Sequence, residues 1–275
     1  MNILFWNTSN NANKDLLDEC LVEIIQEKNC DIIVLAEYNG DVQQFCHSLN
    51  LALSEEYKPI PNNAGCDKIK GIIKNKYKID ILFEAHRYQI SIIKTASFKL
   101  IVAMIHNYSK LHSSDEVQKE LLKTFHQDIC AQEEKHKTRN SFIVGDFNAN
   151  PFEVSCISAN SLHAIPFSDE VKKDERVVRG TAYQKFYNPT WKFFGLRDAP
   201  YSTYYYNKSD MINYYWNVYD QVVIRPQLID AFDDDSLSIV TETKSHCLLK
   251  MKKPDRENYS DHLPLFCTLK EEVIK

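Results

Sequence analysis

The chain has 275 residues and a net charge of −5, and 44% of its residues are hydrophobic while 26% are charged. A chain of this length and apolar content buries most of the surface that it exposes when unfolded, which excludes a disordered protein. Its 6 glycines are too widely spaced to form GxGxxG or GxxxxGK, which argues against Rossmann dinucleotide binding and P-loop nucleotide hydrolysis.

The first part of the chain alternates predicted strands and helices. Leu17, Leu21 and Ile24 recur at helical spacing, and the run before Ala36 is rich in β-branched residues, as buried strands are. The predicted elements are a strand over 2–6, a helix over 14–28, a strand over 31–35, a helix over 42–49 and successive strands over 70–106, with a central one at 98–105.

The second part begins with a long predicted helix over 115–134, opened by the capping box Ser113-Ser114-Asp115-Glu116. It continues with a strand over 141–145, a short helix over 152–160, and strands over 220–224 and 263–269. The segment 183–219, which lies between the short helix and the strand over 220–224, is unusual because it holds nine of the 15 tyrosines. We therefore predict one domain over 1–275, with an aromatic-rich insert near 183–219.

The cysteines and the N-terminal residues favour a reducing compartment. The 8 cysteines contain no CxxC pair, and a chain of this size does not need disulfides to be stable. The apolar run Ile3-Leu4-Phe5-Trp6 is short and lacks the basic start of a secretory signal. We expect a cytoplasmic monomer with free thiols and no membrane partner.

Polar residues stand where the predicted apolar strands end or begin. If the strands form antiparallel sheets, these ends meet at one edge, and their side chains gather in one cleft. Carboxylates, amides and imidazoles together are the groups that metal-assisted phosphoester hydrolysis needs to neutralise charge and activate water. The residues concerned are Asn7, Glu37, His106, Asp146, Asn148, Asp220, Asp261 and His262.

The motifs around these residues resemble the endonuclease/exonuclease/phosphatase superfamily, which includes DNase I. They occur in that family's order, from residue 6 to residue 262, and are Trp6-Asn7, Leu35-Ala36-Glu37, Gly145-Asp146-Phe147-Asn148, Tyr219-Asp220 and Ser260-Asp261-His262. The resemblance implies an α/β fold, a four-layer α/β/β/α sandwich with two central mixed β-sheets. It also implies a Mg²⁺ or Mn²⁺ cofactor and hydrolysis of phosphoesters.

The resemblance implies a role for each of these residues. The metal ligands would be Asn7 and Glu37, with Asp261 supporting the metal or His262. Of the catalytic residues, Asp146 would activate water, Asn148 would bind the phosphate, Asp220 and His262 would form an acid–histidine pair, and His106 would protonate the leaving group. Two departures from the family are Ala36, where a glutamine is usual, and the acidic partner of His106, for which Asp80 and Glu84 are candidates.

Two further sequence features have open alternatives. Tyr214 and Trp216 are the predicted substrate-binding aromatics, which either stack on bases or sugars or pack within the insert. The lysines at 68, 70, 74, 76 and 78 either contact phosphates or, as we favour, form a solvated face.

The sequence predicts a divalent-metal-dependent phosphodiesterase that cleaves nucleic acid, as an endonuclease or an exonuclease, with DNA favoured over RNA. One alternative is a phosphatase or phosphodiesterase of a small phosphoester, such as a nucleotide, an inositol phosphate or a phospholipid headgroup. Another is an inactive binding module on the same fold, which the complete set of predicted site residues argues against.

Overall fold

The structure is a computed structural model that describes residues 1–10, 13–63, 65–111, 113–209 and 211–275. Its strands, in chain order, are β1 (Asn2–Asn7), β2 (Ile32–Ala36), β3 (Tyr57–Ile60), β4 (Ile69–Lys74), β5 (Ile79–Ala85), β6 (Tyr88–Lys94), β7 (Lys99–His106), β8 (Ser141–Asp146), β9 (Ala164–Ile165), β10 (Glu175–Val178), β11 (Thr181–Gln184), β12 (Phe186–Tyr187), β13 (Tyr204–Tyr205), β14 (Trp216–Asn217), β15 (Asp220–Ile224), β16 (Phe232–Ile239), β17 (Leu249–Lys250), β18 (Lys253–Pro254) and β19 (Leu265–Leu269). The α-helices are α1 (Lys14–Lys28), α2 (Val42–Leu53), α3 (Asp115–His136), α4 (Val154–Ile157) and α5 (Ser168–Val171), and short 3₁₀ helices cover Pro189–Gly195, Pro226–Leu228 and Glu271–Val273.

Two mixed β-sheets form the centre of the described part of the chain. One has the strand order β16-β19-β1-β2-β4-β3, and the other has the order β5-β6-β7-β8-β15-β12-β9. In each sheet a parallel pair adjoins an antiparallel strand: β1 is parallel to β2 and antiparallel to β19, while β8 is parallel to β7 and antiparallel to β15.

The side chains on the two faces of each sheet separate the molecule into four layers. The inner faces pack on each other through alternating residues of the central strands, such as Phe5 and Val34 from one sheet and Val102 and Val144 from the other. Successive residues of a strand point to opposite faces, so the residues between these cover the outer faces. The fold is therefore the predicted α/β/β/α sandwich.

Helices cover both outer faces because their apolar residues recur along one side. Leu21 and Ile24 of α1 pack against Ile33 of β2. On the other sheet, Leu122 and Phe125 of α3 pack against β7 and β8. Burial of each such side chain contributes about 1.5–3 kcal/mol. As the capping box predicts, α3 begins after Ser114, whose hydroxyl accepts a hydrogen bond from the backbone N–H of Val117.

A close approach between two strands requires glycine at position 145. A Cβ atom added to Gly145 in β8 would overlap the carbonyl oxygen of Ile105 in β7. The absence of a side chain allows the two parallel strands to pair up to their ends, where His106 stands opposite Asp146. This glycine therefore helps to place two predicted catalytic residues side by side.

Several element boundaries differ from the predictions. The helix predicted over 152–160 is limited to α4, because the chain leaves the helical conformation at Ser158, in a stretch of serine and asparagine that favours turns. In contrast, α2 continues to Leu53 rather than ending at residue 49. The aromatic-rich segment 183–219, in which Asp210 lies outside the described residues, contributes β12 to the second sheet, where Tyr187 pairs with Ile224.

Among the described residues, none of the helices has the length and apolar character needed to cross a bilayer. All eight cysteines are free in the structure. The cytoplasmic location and the monomeric state stay predictions.

Candidate active site

Polar residues at the ends of four central strands meet at one edge of the two sheets. Asp146 ends β8 and stands in register with His106 at the end of β7 and with Asp220 at the start of β15. Asn7, at the end of β1, brings the other sheet to the same place through a hydrogen bond to Asp146. The expected antiparallel pairing holds for β8 and β15, which bring Asp146 and Asp220 together, whereas the parallel pair of β7 and β8 adds His106.

Asp146 lies at the centre of the site and is almost completely buried. Its Oδ2 accepts a hydrogen bond from Nδ2 of Asn7 at 2.8 Å, and its Oδ1 accepts one from the backbone N–H of Asn148 at 2.7 Å. Burial raises the pKa of the Asp146 carboxyl, although the nearby imidazole of His262 opposes that rise. The result is a carboxylate that is held in position and made more basic than an exposed aspartate.

His262 and Asp220 form a buried charge pair beside Asp146. The distance from Nδ1 of His262 to Oδ2 of Asp220 is 2.8 Å, so the ring nitrogen donates its hydrogen to the carboxylate. Burial disfavours the charged ring, but the attraction of Asp220 outweighs it and raises the pKa of His262 to about 10. The other ring nitrogen, Nε2, lies 4.0 Å from Oδ2 of Asp146 and faces the site.

The loop that carries His262 is attached to the start of the chain. Nε1 of Trp6 donates to the backbone carbonyl of His262 at 2.9 Å. The hydroxyl of Ser260 donates to the carbonyl of Asn7 at 2.7 Å and accepts from the N–H of His262 at 3.0 Å. Trp6 and Ser260 therefore hold the backbones of Asn7 and His262 close together.

Glu37 and His106 form the opposite side of the site. Oε1 of Glu37 lies 3.3 Å from Nε2 of His106, and this hydrogen bond lowers the pKa of the Glu37 carboxyl. The prediction that Asp80 or Glu84 is the acidic partner of His106 is wrong. Asp80 pairs with Lys94, and Glu84 accepts hydrogen bonds from Gln89 and from the N–H of Asn63.

Asn148 and Asp261 lie at the rim of the same site. Asn148 has a left-handed backbone conformation with φ at +48°, and its amide donates to the carbonyl of Asn107 at 3.1 Å. Oδ2 of Asp261 accepts from Arg256 at 3.0 Å. All eight predicted metal-binding and catalytic positions therefore lie at one edge of the fold, and their individual roles stay predictions.

The donor atoms present suit a divalent cation. Carboxylate oxygens of Asp146 and Asp220 lie within 4.8 Å of each other and of a ring nitrogen of His262, whose Nδ1 is engaged by Asp220. Within the described residues, Oδ1 of Asp220 is a buried carboxylate oxygen without a hydrogen-bond partner, and Glu37 adds a partly exposed carboxylate on the other side. Oxygen donors of this kind are preferred by Mg²⁺ and Mn²⁺, and a cation offsets the repulsion between the carboxylates.

A cavity of about 660 Å³ adjoins the site, and its lining combines polar side chains with the aromatic residues Phe152, Tyr204, Tyr206, Tyr214 and Tyr219. Tyr204 connects the two, because its ring lies against the imidazole of His262 with 4.6 Å between the ring centroids. Tyr214 lines this cavity and also a smaller neighbouring one, which it shares with Trp216. The ring of Trp216 contacts those of Tyr201 and Tyr205 edge to face and does not line the larger cavity. Substrate binding by Tyr214 and by Trp216 stays a prediction.

The sequence did not indicate which side chains hold the predicted site residues in place. The hydroxyl of Ser260 links Asn7 to His262, and the ring of Tyr204 lies against the imidazole of His262; these contacts are visible only in the folded chain. The lysines between 68 and 78 are largely engaged within the chain: Lys74 pairs with Glu55, and Lys76 pairs with Asp31. The solvated-face interpretation thus missed these ion pairs.

Solved structures of the same fold cover nearly the whole chain. The truncated TDP2 of Caenorhabditis elegans is 15% identical with a TM-score of 0.62, and the match covers 98% of this chain and 96% of that one. TDP2 of D. rerio, complexed with single strand DNA product, is 15% identical with a TM-score of 0.54 and covers 98% of both chains. An endonuclease/exonuclease/phosphatase family protein from Bacteroides thetaiotaomicron is 12% identical with a TM-score of 0.57, over 98% of this chain and 94% of that one. No protein-family profile and no curated protein matches the sequence.

Proposed function

We propose that this chain, which has the DNase I-like fold of the endonuclease/exonuclease/phosphatase superfamily, is a divalent-metal-dependent phosphodiesterase that hydrolyses nucleic acid, with DNA favoured over RNA. The observation that carries the proposal is the cluster in which the Asp220–His262 pair faces the buried carboxylate of Asp146. Phosphodiester hydrolysis requires a base, a charged hydrogen-bond donor and a carboxylate that binds the metal, all in one site. Asp146, His262 and Glu37 would supply them. The D. rerio TDP2 structure with single strand DNA product supports nucleic acid as the substrate class.

The proposed reaction includes two proton transfers, one at Asp146 and one at His106. Asp146 accepts a proton from a water molecule whose oxygen attacks the phosphorus atom. The phosphorus–oxygen bond to the leaving group breaks, and His106 supplies the proton that the departing alkoxide takes up. A Mg²⁺ or Mn²⁺ ion, held by Glu37 and Asn7 with support from Asp261, would neutralise the phosphate charge.

The remaining residues bind the phosphate during this exchange. His262, whose Nδ1 is engaged by Asp220, presents Nε2–H to a non-bridging phosphate oxygen. Asn148 adds an amide donor next to Asp146. Both donors are held by hydrogen bonds before the substrate arrives, so they stabilise the negative charge of the transition state without a cost of reorganisation.

The experiment compares polymer and small-molecule substrates with the purified protein. Plasmid, single-stranded DNA, RNA, nucleotides and inositol phosphates are each incubated with Mg²⁺ or Mn²⁺ and, separately, with EDTA. We expect metal-dependent cleavage of the polymers that Asp146→Asn and His262→Asn abolish. The control Asp235→Asn, which removes an exposed carboxylate of β16, should leave cleavage unchanged. Phosphate release from small substrates alone, or binding without turnover in any metal, would overturn the proposal.

A further inference from the structure

We infer that the aromatic cavity beside the site binds an unpaired nucleobase next to the scissile phosphate, so that single-stranded nucleic acid is the preferred substrate over duplex. The inference rests on the proposed function and specifies its substrate class.

The cavity is continuous with the catalytic residues. Asn148, which stands two residues after Asp146, and Tyr204, whose ring lies against His262, both line it. A phosphate bound at His262 therefore has its attached nucleoside within reach of the cavity. The volume of about 660 Å³ leaves room for a base together with its sugar.

The walls of the cavity offer flat apolar surfaces on two sides. On one side the rings of Tyr204 and Tyr219 are nearly parallel, with centroids 5.2 Å apart and planes inclined by 22°. On the other side Tyr214 meets Phe152 edge to face, with centroids 5.3 Å apart. Rings of this kind stack on nucleobases with little regard to sequence, because every base has a π-face.

The charge of the cavity favours a neutral group over a second phosphate. Among the described residues that line it, Lys110 is the single cation, and its ammonium is paired with Glu153 and lies 3.5 Å from Asp115. The amide of Asn150 is likewise engaged, as its Nδ2 donates to Asn217 and its Oδ1 accepts from the N–H of Val218. A planar uncharged base fits these walls better than a phosphate does.

A paired base cannot enter such a cavity, because both of its faces are covered by neighbouring bases in the duplex. Entry from a duplex requires unpairing and unstacking, whereas a single strand presents its bases at much lower cost. The cavity therefore predicts discrimination by strandedness at the substrate position next to the cleaved bond. It predicts little dependence on base identity, since stacking on aromatic rings tolerates every base.

Adjacent tyrosines supply a matched pair of variants. Tyr214 and Tyr215 are 56% and 52% exposed, yet Tyr214 lines the cavity and Tyr215 does not. Tyr215 has a positive φ of 61°, so asparagine, which tolerates that conformation, is the suitable replacement at both positions. Tyr214→Asn and Tyr215→Asn therefore make the same substitution at two adjacent residues, one that lines the cavity and one that does not.

The experiment measures kcat/KM on a single strand, on the same strand in a duplex, and on a single strand with abasic sugars flanking the cleaved bond. We expect the wild-type protein to prefer the single strand by tenfold or more and to lose about tenfold on the abasic strand, as loss of one stacking contact predicts. Tyr214→Asn should show a similar loss on the intact strand and little additional loss on the abasic one, because the two changes remove the same contact. Tyr215→Asn should behave as the wild type.

The outcomes separate this inference from the proposed function. An active wild-type enzyme that cleaves duplex, single-stranded and abasic substrates equally would overturn the inference and leave the proposed function standing. Equal effects of Tyr214→Asn and Tyr215→Asn would also overturn it. Absence of metal-dependent cleavage of every polymer would instead overturn the proposed function.

Discussion

Oδ2 of Asp220 lies 2.8 Å from Nδ1 of His262, and both side chains are buried. One residue begins the strand β15 and the other stands 42 positions later in the loop before β19. The carboxylate fixes the orientation of the ring, so that its second nitrogen faces Asp146.

Replacing this carboxylate tests the pair directly. Asp220→Asn keeps the shape of the side chain but removes the charge that favours a protonated ring, so we expect kcat/KM on a nucleic acid substrate to fall by about 10³-fold. Circular dichroism and the thermal midpoint check that the variant folds. A loss of less than fivefold in a folded variant would show that the pair does not contribute to the reaction.

The metal site is tested through binding, independently of turnover. Glu37→Gln removes one carboxylate of the site, and we expect the affinity for Mn²⁺, measured by electron paramagnetic resonance, to fall by about 10- to 100-fold. Glu84→Gln is the matched control, because Glu84 is also partly buried but contacts Gln89 instead of the site. Equal Mn²⁺ affinities for the two variants would place the cation elsewhere.

The tight pairing of β7 with β8 predicts a large effect of one methyl group. In Gly145→Ala the new Cβ overlaps the carbonyl of Ile105, which forces the strands apart, and we expect the free energy of unfolding in urea to fall by about 2–4 kcal/mol. Gly195→Ala is the control, because a Cβ at Gly195 meets no atom within 4 Å. Similar losses in both variants would contradict the proposed overlap.

A buried histidine of α3 predicts a loss of stability in mild acid. His126 donates from Nδ1 to the carbonyl of Ser161, and Nη2 of Arg225 lies 3.3 Å from its Nε2. Burial, together with the repulsion by Arg225, lowers the pKa of His126 to about 3. Between about pH 6.5 and pH 3 the unfolded chain therefore binds a proton that the folded chain does not, so the free energy of unfolding decreases as the pH falls, by up to ~1.4 kcal/mol per pH unit.

Urea unfolding at several pH values checks this histidine. We expect His126→Gln to have a shallower dependence on pH than the wild type between pH 6.5 and pH 4.5, because the shifted group is gone. His47→Gln replaces an exposed histidine of α2 and should keep the wild-type dependence. If His126→Gln retains the wild-type slope, another group causes the acid sensitivity.

The long apolar runs made much of the architecture predictable. The strand over 220–224 matches β15, and the predicted helix over 115–134 matches α3 to within two residues, since caps and periodicity are local properties. The helix predicted over 152–160 was too long, and the short strands of the aromatic-rich segment were not predicted. Those elements have little intrinsic preference and depend on their partners, as Tyr187 does on Ile224.

By itself, the sequence determined the polar residues at the strand ends and their order along the chain, because residue type and local periodicity are written in it. Only the tertiary structure decided which of them touch. It paired His106 with Glu37 instead of Asp80 or Glu84, and it placed Tyr214, but not Trp216, in the cavity beside the site. The reason is physical: sheet order and strand register bring distant residues together, and they are set by the burial of two whole sheet faces rather than by any short segment.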